Sequence, residues 1–301
     1  MHLRIELGTT MNFLGLEKEY TEEKTSKIVI LPVPFEKTTS YMKGTKYSPE
    51  AIIKASEQVE LYDEEFDTEA YTHGIYTDPY FYREVDLDKL SIEKGLDTIK
   101  DRVDHHLRNK KMVISIGGEH SITALIFKSY WEKYNKDIGI IQFDAHGDLR
   151  ESYHDEKYSH ASIMKRVFDY VDSKDKVLQI GIRAISKEES LFIKERNLNL
   201  VKAHELYDNK NAYKKFLEKL PKQVYITVDL DFFDSSEIQH LGTPEPGGFS
   251  YREYISILKE IKKTKTIVGF DVNELSSSSQ SAVSDFYSAR LMYKTISCMM
   301  S

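Results

Sequence analysis

Four short segments concentrate the side chains that can do chemistry. They are Gly117-Gly118-Glu119-His120-Ser121, Asp144-Ala145-His146-Gly147-Asp148, Asp229-Leu230-Asp231 and Asn273-Glu274. Along an extended segment, residues i, i+2 and i+4 face the same way, so Asp144, His146 and Asp148 can converge on one point. Two carboxylates and an imidazole suit a divalent ion such as Mn, Zn or Fe, although an Asp-rich run taken alone is more often a solvated turn or a helix cap. The Asp229/Asp231 pair follows the same alternation, directly after the apolar run Val224-Tyr225-Ile226-Thr227-Val228. Carboxylates beside a buried strand are costly without a cation. His120 follows two glycines, which permit close backbone approach; taken singly it reads as a capping or core histidine.

The elements that must position these residues alternate along the chain. Near-continuous apolar runs of strand length occur at Lys27–Pro34, Met112–Ile116, Ile138–Phe143, Val177–Ile182, Val224–Asp229 and Thr266–Val272, as expected for strands covered on both faces. Helical patterns lie between them. One opens at Ser48-Pro49-Glu50, with Ser48 expected as the cap and Pro49 at the first helical position. Another runs from about Asp86 to Lys111, and others start near Ser121, Ala161, Lys187, Tyr251 and Ser281. This alternation predicts an α/β fold with a mostly parallel sheet. In such sheets ligands bind at the carboxyl ends of the strands, where all four chemical segments fall. Three strand ends would then bring His120, the Asp144/His146/Asp148 trio and the Asp229/Asp231 pair to one rim. One ion rarely needs so many ligands. Two ions about 3.5–4 Å apart, sharing bridging carboxylates, do.

Composition narrows the class. The 301 residues carry 42 Lys and Arg against 49 Asp and Glu, a formal net charge of −7, which argues against a general nucleic-acid binder and leaves room for a cationic ligand. Cys298 is the only cysteine, so no internal disulfide can form, the site is not a cysteine-ligated structural zinc, and a reducing, cytoplasmic location is expected. No apolar run reaches the roughly 18 residues of a membrane span. With no linker or repeat, residues 1–301 read as one domain; residues 1–10 stand apart as a candidate tag or disordered N-terminus.

The motifs resemble those of the ureohydrolase family, the arginases and agmatinases. That family carries GG-[DE]-HS, DAH-x-D and S-x-D-x-D-x-x-D in this order; here they read GGEHS, DAHGD and TVDLDFFD. Leu241–Gly248, Pro32–Ile52 and Lys157–Arg166 also match, the last two in an agmatinase-like form, and the likeness spans about residues 27–297. The resemblance implies a three-layer α/β/α domain with a mostly parallel, roughly eight-stranded sheet, assembled as a trimer or hexamer. It implies two Mn2+ per chain, one on His120 and Asp148, the other on His146 and Asp231, with Asp144 and Asp229 bridging. It further implies that water activated there attacks a guanidinium carbon, that Asp148 handles the proton, that His160 is a proton shuttle, and that Glu274 holds the guanidinium. His154 competes with His160 for the shuttle role. His105 and His106, on the long helical pattern, are expected at the surface.

The chain departs from the family pattern in Ser235, in Gln239-His240-Leu241-Gly242-Thr243-Pro244, and in Leu275 with the serine run Ser276–Ser279. These changes touch loops around the pocket mouth and no proposed ligand. The expected reaction is therefore hydrolysis of a small cationic guanidino compound to an amine and urea, agmatine to putrescine first. Aminopropylagmatine, guanidinobutyrate, arginine and formiminoglutamate are the alternatives. The acidic majority of the loop Leu149–Ser159, with Glu151, Asp155 and Glu156 against Arg150 and Lys157, favours a cationic tail. A single-zinc deacetylase and a non-catalytic metal-binding relative are the rivals of other classes.

Overall fold

The computed structural model describes residues 11–277 and 282–301, so the reading of residues 1–10, the last two serines of the 276–279 run and the helix start at Ser281 lie outside the described residues. Eight strands form one sheet: β1 (Ile28–Pro32), β2 (Ile75–Thr77), β3 (Met112–Ile116), β4 (Gly139–Phe143), β5 (Val177–Ile182), β6 (Leu200–Lys202), β7 (Gln223–Asp229) and β8 (Thr266–Asn273), in the order β2-β1-β3-β8-β7-β4-β5-β6. Every pairing is parallel. Parallel strands cannot be joined by tight turns, so helical crossovers connect them.

Alternate strand residues feed two cores. Ile30, Ile114, Ile141, Ile180, Ile226 and Phe270 pack on one face with the helices Ser48–Ser56, Tyr251–Thr264 and Ala282–Met300. Val113, Ile140, Val177, Tyr225 and Val268 pack on the other with Ile92–Arg108, Thr123–Lys133 and Ile163–Phe168. Helix, sheet and helix thus form three layers, the predicted α/β architecture. Among the described residues no helix is long and apolar enough to cross a membrane.

The strand order is what builds the site. The chain lays down β1 to β3 on one side, jumps to β4 to β6 on the other, and returns to fill the gap with β7 and β8. In register, Ile116 pairs with Val272, Val272 with Val228, and Val228 with Phe143. The residues that follow these four ends therefore emerge side by side.

Several local expectations need correction. β2 and β6 were not expected from the apolar runs; each is three residues long and lies at a sheet edge, too short to show a period. The long helix begins at Ile92, where Ser91 Oγ accepts the Lys94 N–H at 3.3 Å, and ends at Arg108. Ser48 does not cap its helix: its own backbone is helical, and its hydroxyl donates to the carbonyls of Thr45 and Leu275. His106 is wholly buried rather than at the surface, because its ring reaches Asp78 at 2.7 Å.

Candidate metal centre

Each acidic or imidazole side chain is delivered by a strand end. Gly117 and Gly118 leave β3 through a gap only glycine fits: a Cβ at Gly117 would stand 1.9 Å from Asn273 Oδ1, and one at Gly118 2.1 Å from the Phe35 carbonyl oxygen. The turn places His120 at the head of the short helix His120–Ile122 that leads into Thr123–Lys133. Asp144 follows β4, and Asp148 sits at φ +52°, a left-handed conformation that Asp tolerates better than most residues. Asp229 closes β7, and its Oδ1 accepts the Asp231 N–H at 2.9 Å.

The six side chains are brought together as two sets. His120 Nδ1 lies 3.2 Å from Asp144 Oδ2, 3.4 Å from Asp148 Oδ2 and 3.2 Å from Asp229 Oδ2. His146 Nδ1 lies 2.7 Å from Asp231 Oδ2 and 3.8 Å from Asp144 Oδ1. Asp144 thus turns one oxygen to each set. One donor group is His120/Asp144/Asp229, the other Asp144/His146/Asp231, each with its donor atoms within 4.8 Å of one another.

The donor set fits a pair of divalent ions. His120 Nδ1 and Asp231 Oδ2 are buried and have no hydrogen-bond partner despite their close neighbours, a deficit that a bound cation would relieve. Carboxylate oxygens and imidazole nitrogens together suit divalent first-row ions. Without a cation, protons must hold the cluster together. Burial alone would lower the His120 pKa, but Asp144, Asp148 and Asp229 carry it well above the imidazole range. Burial likewise opposes protonation of His146, yet Asp231 and Asp144 push it up to about 11. Burial, then Asp148 and Asp231, raise Asp144 to about 8, and Asp229 also lies well above the carboxylate range. Burial would raise Asp231 as well, but His146 holds it at about 2.

Buried polar residues behind the cluster orient it. His120 Nε2 donates to Thr227 Oγ1 at 2.7 Å, and Thr227 donates to Asp271 Oδ1 at 2.6 Å. The relay leaves Nδ1 as the ligand nitrogen. Asp271 also accepts from Tyr225, Thr123 and Asn273. Gln142 Nε2 donates to Asp144 Oδ2, and Gln179 Nε2 donates to Gln142 Oε1, each at 2.6 Å. The sequence assigns no role to Thr227, which opens the TVDLDFFD motif, or to Asp271, Gln142 and Gln179. Their only signal was a polar residue at a strand position expected to be apolar. Asp234, three residues beyond Asp231, staples a loop through Ser236, Gly247 and Gly248.

A cavity of about 360 Å³ opens over the cluster, lined among others by His120, His146, Asp148, His160, Glu245 and Glu274. Glu274, at φ +68°, accepts the His120 N–H on Oε1 at 2.6 Å, and burial, opposed by that bond, pushes its carboxyl up to about 8. His160 lines the wall; its N–H donates to Thr38 Oγ1 at 3.0 Å, and Ser40 Oγ lies 3.4 Å from Nε2. Burial lowers its pKa, which favours the neutral ring. His154 is exposed and does not line the cavity. Glu119 carries the loop that carries His160: its buried carboxylate accepts the N–H groups of Lys37, Thr38 and Thr39 at 2.7, 2.6 and 3.2 Å.

The mouth corrects the expectation for the loop Leu149–Ser159. Glu151 turns away to Lys165 and Arg166, each at 2.9 Å, and Glu151, Asp155 and Glu156 do not line the cavity. Arg150 does, lying against Glu189 at 4.0 Å and over the Tyr153 ring. The acid at the mouth is Glu245, whose Oε1 lies 3.8 Å from His146 Nε2. Arg183 holds its segment by donating to the carbonyls of Asp231, Glu245 and Pro246 at 2.6, 2.9 and 3.0 Å.

Comparison with known proteins agrees with this architecture. The family model described as the arginase family matches residues 26–298. An N(1)-aminopropylagmatine ureohydrolase of Synechocystis sp. is 35% identical over 93% of this chain and 91% of its own length. An agmatinase of Bacillus cereus is 33% identical over 86% of each chain. The crystal structure of the agmatine ureohydrolase of Thermoplasma volcanium superposes with a TM-score of 0.80 at 27% identity, covering 93% of this chain and 92% of that one.

Proposed function

From the fact that the chain belongs to the arginase family, and so is a ureohydrolase cleaving guanidino C–N bonds, we propose that it acts on a guanidino compound with a cationic tail, agmatine, giving putrescine and urea. Glu245 carries this reading, as a partly exposed carboxylate in the cavity lining. Arg150, the cation there, is already engaged with Glu189 and Tyr153.

His120, Asp144, His146, Asp148, Asp229 and Asp231 would hold two divalent ions, Mn2+ on the chemistry of their donors. When bound, such a pair lowers the pKa of water so that a nucleophile exists near neutral pH. Glu274 receives the planar guanidinium, whose charge compensates a carboxylate that burial otherwise keeps protonated. This pairing fixes the guanidinium carbon over the cluster. Asp148 accepts the proton of the attacking water on its carboxylate and returns it to the leaving nitrogen. His160, neutral at the cavity wall, moves protons between that nitrogen and solvent through Nε2.

A second substrate, N(1)-aminopropylagmatine, is favoured by the relative of that name at 35% identity. It shares the cationic tail and lengthens it. The test is kcat/KM for urea release by the Mn-loaded protein over agmatine, N(1)-aminopropylagmatine, guanidinobutyrate and arginine. One of the first two should exceed arginine at least about tenfold, which needs only about 1.4 kcal/mol of differential binding. A preference for arginine or guanidinobutyrate would overturn the cationic-tail reading.

A further inference from the structure

A second cluster of ligand-type side chains lies at the C-terminal end of the helix Ile92–Arg108. Asp78, buried just after β2, accepts from Arg102 Nε at 2.6 Å and Nη2 at 3.0 Å, and lies 2.7 Å from His106 Nε2. The two-pronged Arg102 pairing marks Asp78 as an ionised carboxylate. An ionised carboxylate accepts only, so His106 Nε2 carries the proton. Nδ1 is then a bare acceptor, and it is buried with no hydrogen-bond partner. One ligand atom each from Glu23, His105 and His106 lies within 4.8 Å of the others, with Glu23 exposed and His105 half-buried.

We propose that Glu23, His105 and His106 form a further divalent-ion site, taking a borderline ion such as Zn2+ on two imidazole nitrogens and a carboxylate, with water in the fourth position. Three independent features support it. Asp78 behind His106 is the carboxylate–histidine arrangement that fixes a ligand's tautomer and ring. Two imidazoles and one carboxylate are a known zinc set that leaves one open position. The last turn of a helix favours a cation by its dipole. The Glu23 segment is also held in place beforehand: Lys111 Nζ donates to the carbonyls of Glu23, Lys24 and Ser26 at 2.5, 3.1 and 2.6 Å. Among the nearby cations, Arg102 is engaged by Asp78 and Lys111 by those carbonyls. An ion here would tie the N-terminal segment to the helix that covers one face of the sheet.

The test is equilibrium dialysis of the Mn-loaded holoenzyme against Zn2+, with total bound divalent ions per chain measured for the wild type, His105→Ala and Glu23→Gln. Comparing totals makes the readout indifferent to exchange of Zn2+ for Mn2+ in the catalytic cavity. The wild type should hold one ion more than His105→Ala, and Glu23→Gln should bind that ion at least tenfold more weakly. Both variants should keep urea release within twofold before zinc is added. Zinc should raise the wild-type Tm and leave that of His105→Ala unchanged. Equal totals in wild type and His105→Ala, or a zinc-induced Tm rise that persists in His105→Ala, would overturn the site.

Discussion

His160 and Thr227 show how differently two residues of one site are written into a sequence. His160 stands in a segment with a family likeness, and its side chain lines the cavity while His154 faces solvent. His160→Ala should lower kcat by roughly 10²–10⁴ and leave the metal content of the protein unchanged; the same loss in His154→Ala alone would reassign the shuttle. Thr227 sits inside an apolar run and opens the TVDLDFFD motif, but nothing local gives it a role. Its hydroxyl is nevertheless what fixes the His120 tautomer. Thr227→Val keeps the shape and removes the acceptor, so metal affinity should weaken roughly 10–100-fold, as read by chelator competition. Asp229→Asn should lose metal outright, since a neutral amide cannot compensate a divalent ion. The six proposed ligands were readable because alternation along an extended segment and position at a strand end are properties of the sequence. The residues that support them were not, because a polar side chain in a buried strand acquires its meaning only from its neighbour across the sheet.

At the scale of elements, the six strands β1, β3, β4, β5, β7 and β8 were legible as apolar runs, four of them ending in chemical residues. The edge strands β2 and β6 were not, because three residues carry no period. Left-handed backbone at Asp148 and Glu274 was equally hidden; only the folded surroundings can impose it on residues other than glycine. The loop of residues 37–39 depends on tertiary structure, since it hangs on Glu119 from a different strand end. Glu119→Ala leaves those N–H groups without their acceptor, at a cost of about 1–3 kcal/mol. Because the loop also holds His160, kcat should fall together with Tm while both ions still bind. Loss of stability with unchanged kcat would show that the loop does not position the histidine.

At the scale of the molecule, sheet order joins residues more than a hundred positions apart, and the sequence shows that order only through likeness to a family. The cation requirement belongs to this scale too. In the ion-free fold, Asp144 is raised to about 8 from an unfolded value near 3.9. Its contribution to stability is therefore fully present below the unfolded value and is lost as pH rises through about 8. Divalent ions replace the lost proton, so the Tm gain on adding Mn2+ should grow from pH 5 to pH 8 and vanish in acid. Far from the cavity, Lys294 and Asp63 form a wholly buried ion pair at 2.9 Å that anchors the C-terminal helix. Lys294→Ala leaves Asp63 uncompensated and should cost about 3–5 kcal/mol in denaturant unfolding without changing KM. The central claim, that two ions held by His120, Asp144, His146, Asp148, Asp229 and Asp231 make this chain a ureohydrolase, is tested most directly by titrating Mn2+ into metal-stripped protein and following urea release from agmatine and N(1)-aminopropylagmatine. Activity should be absent without metal and should saturate at two ions per chain. Saturation at one ion, or urea release from the stripped protein, would contradict it.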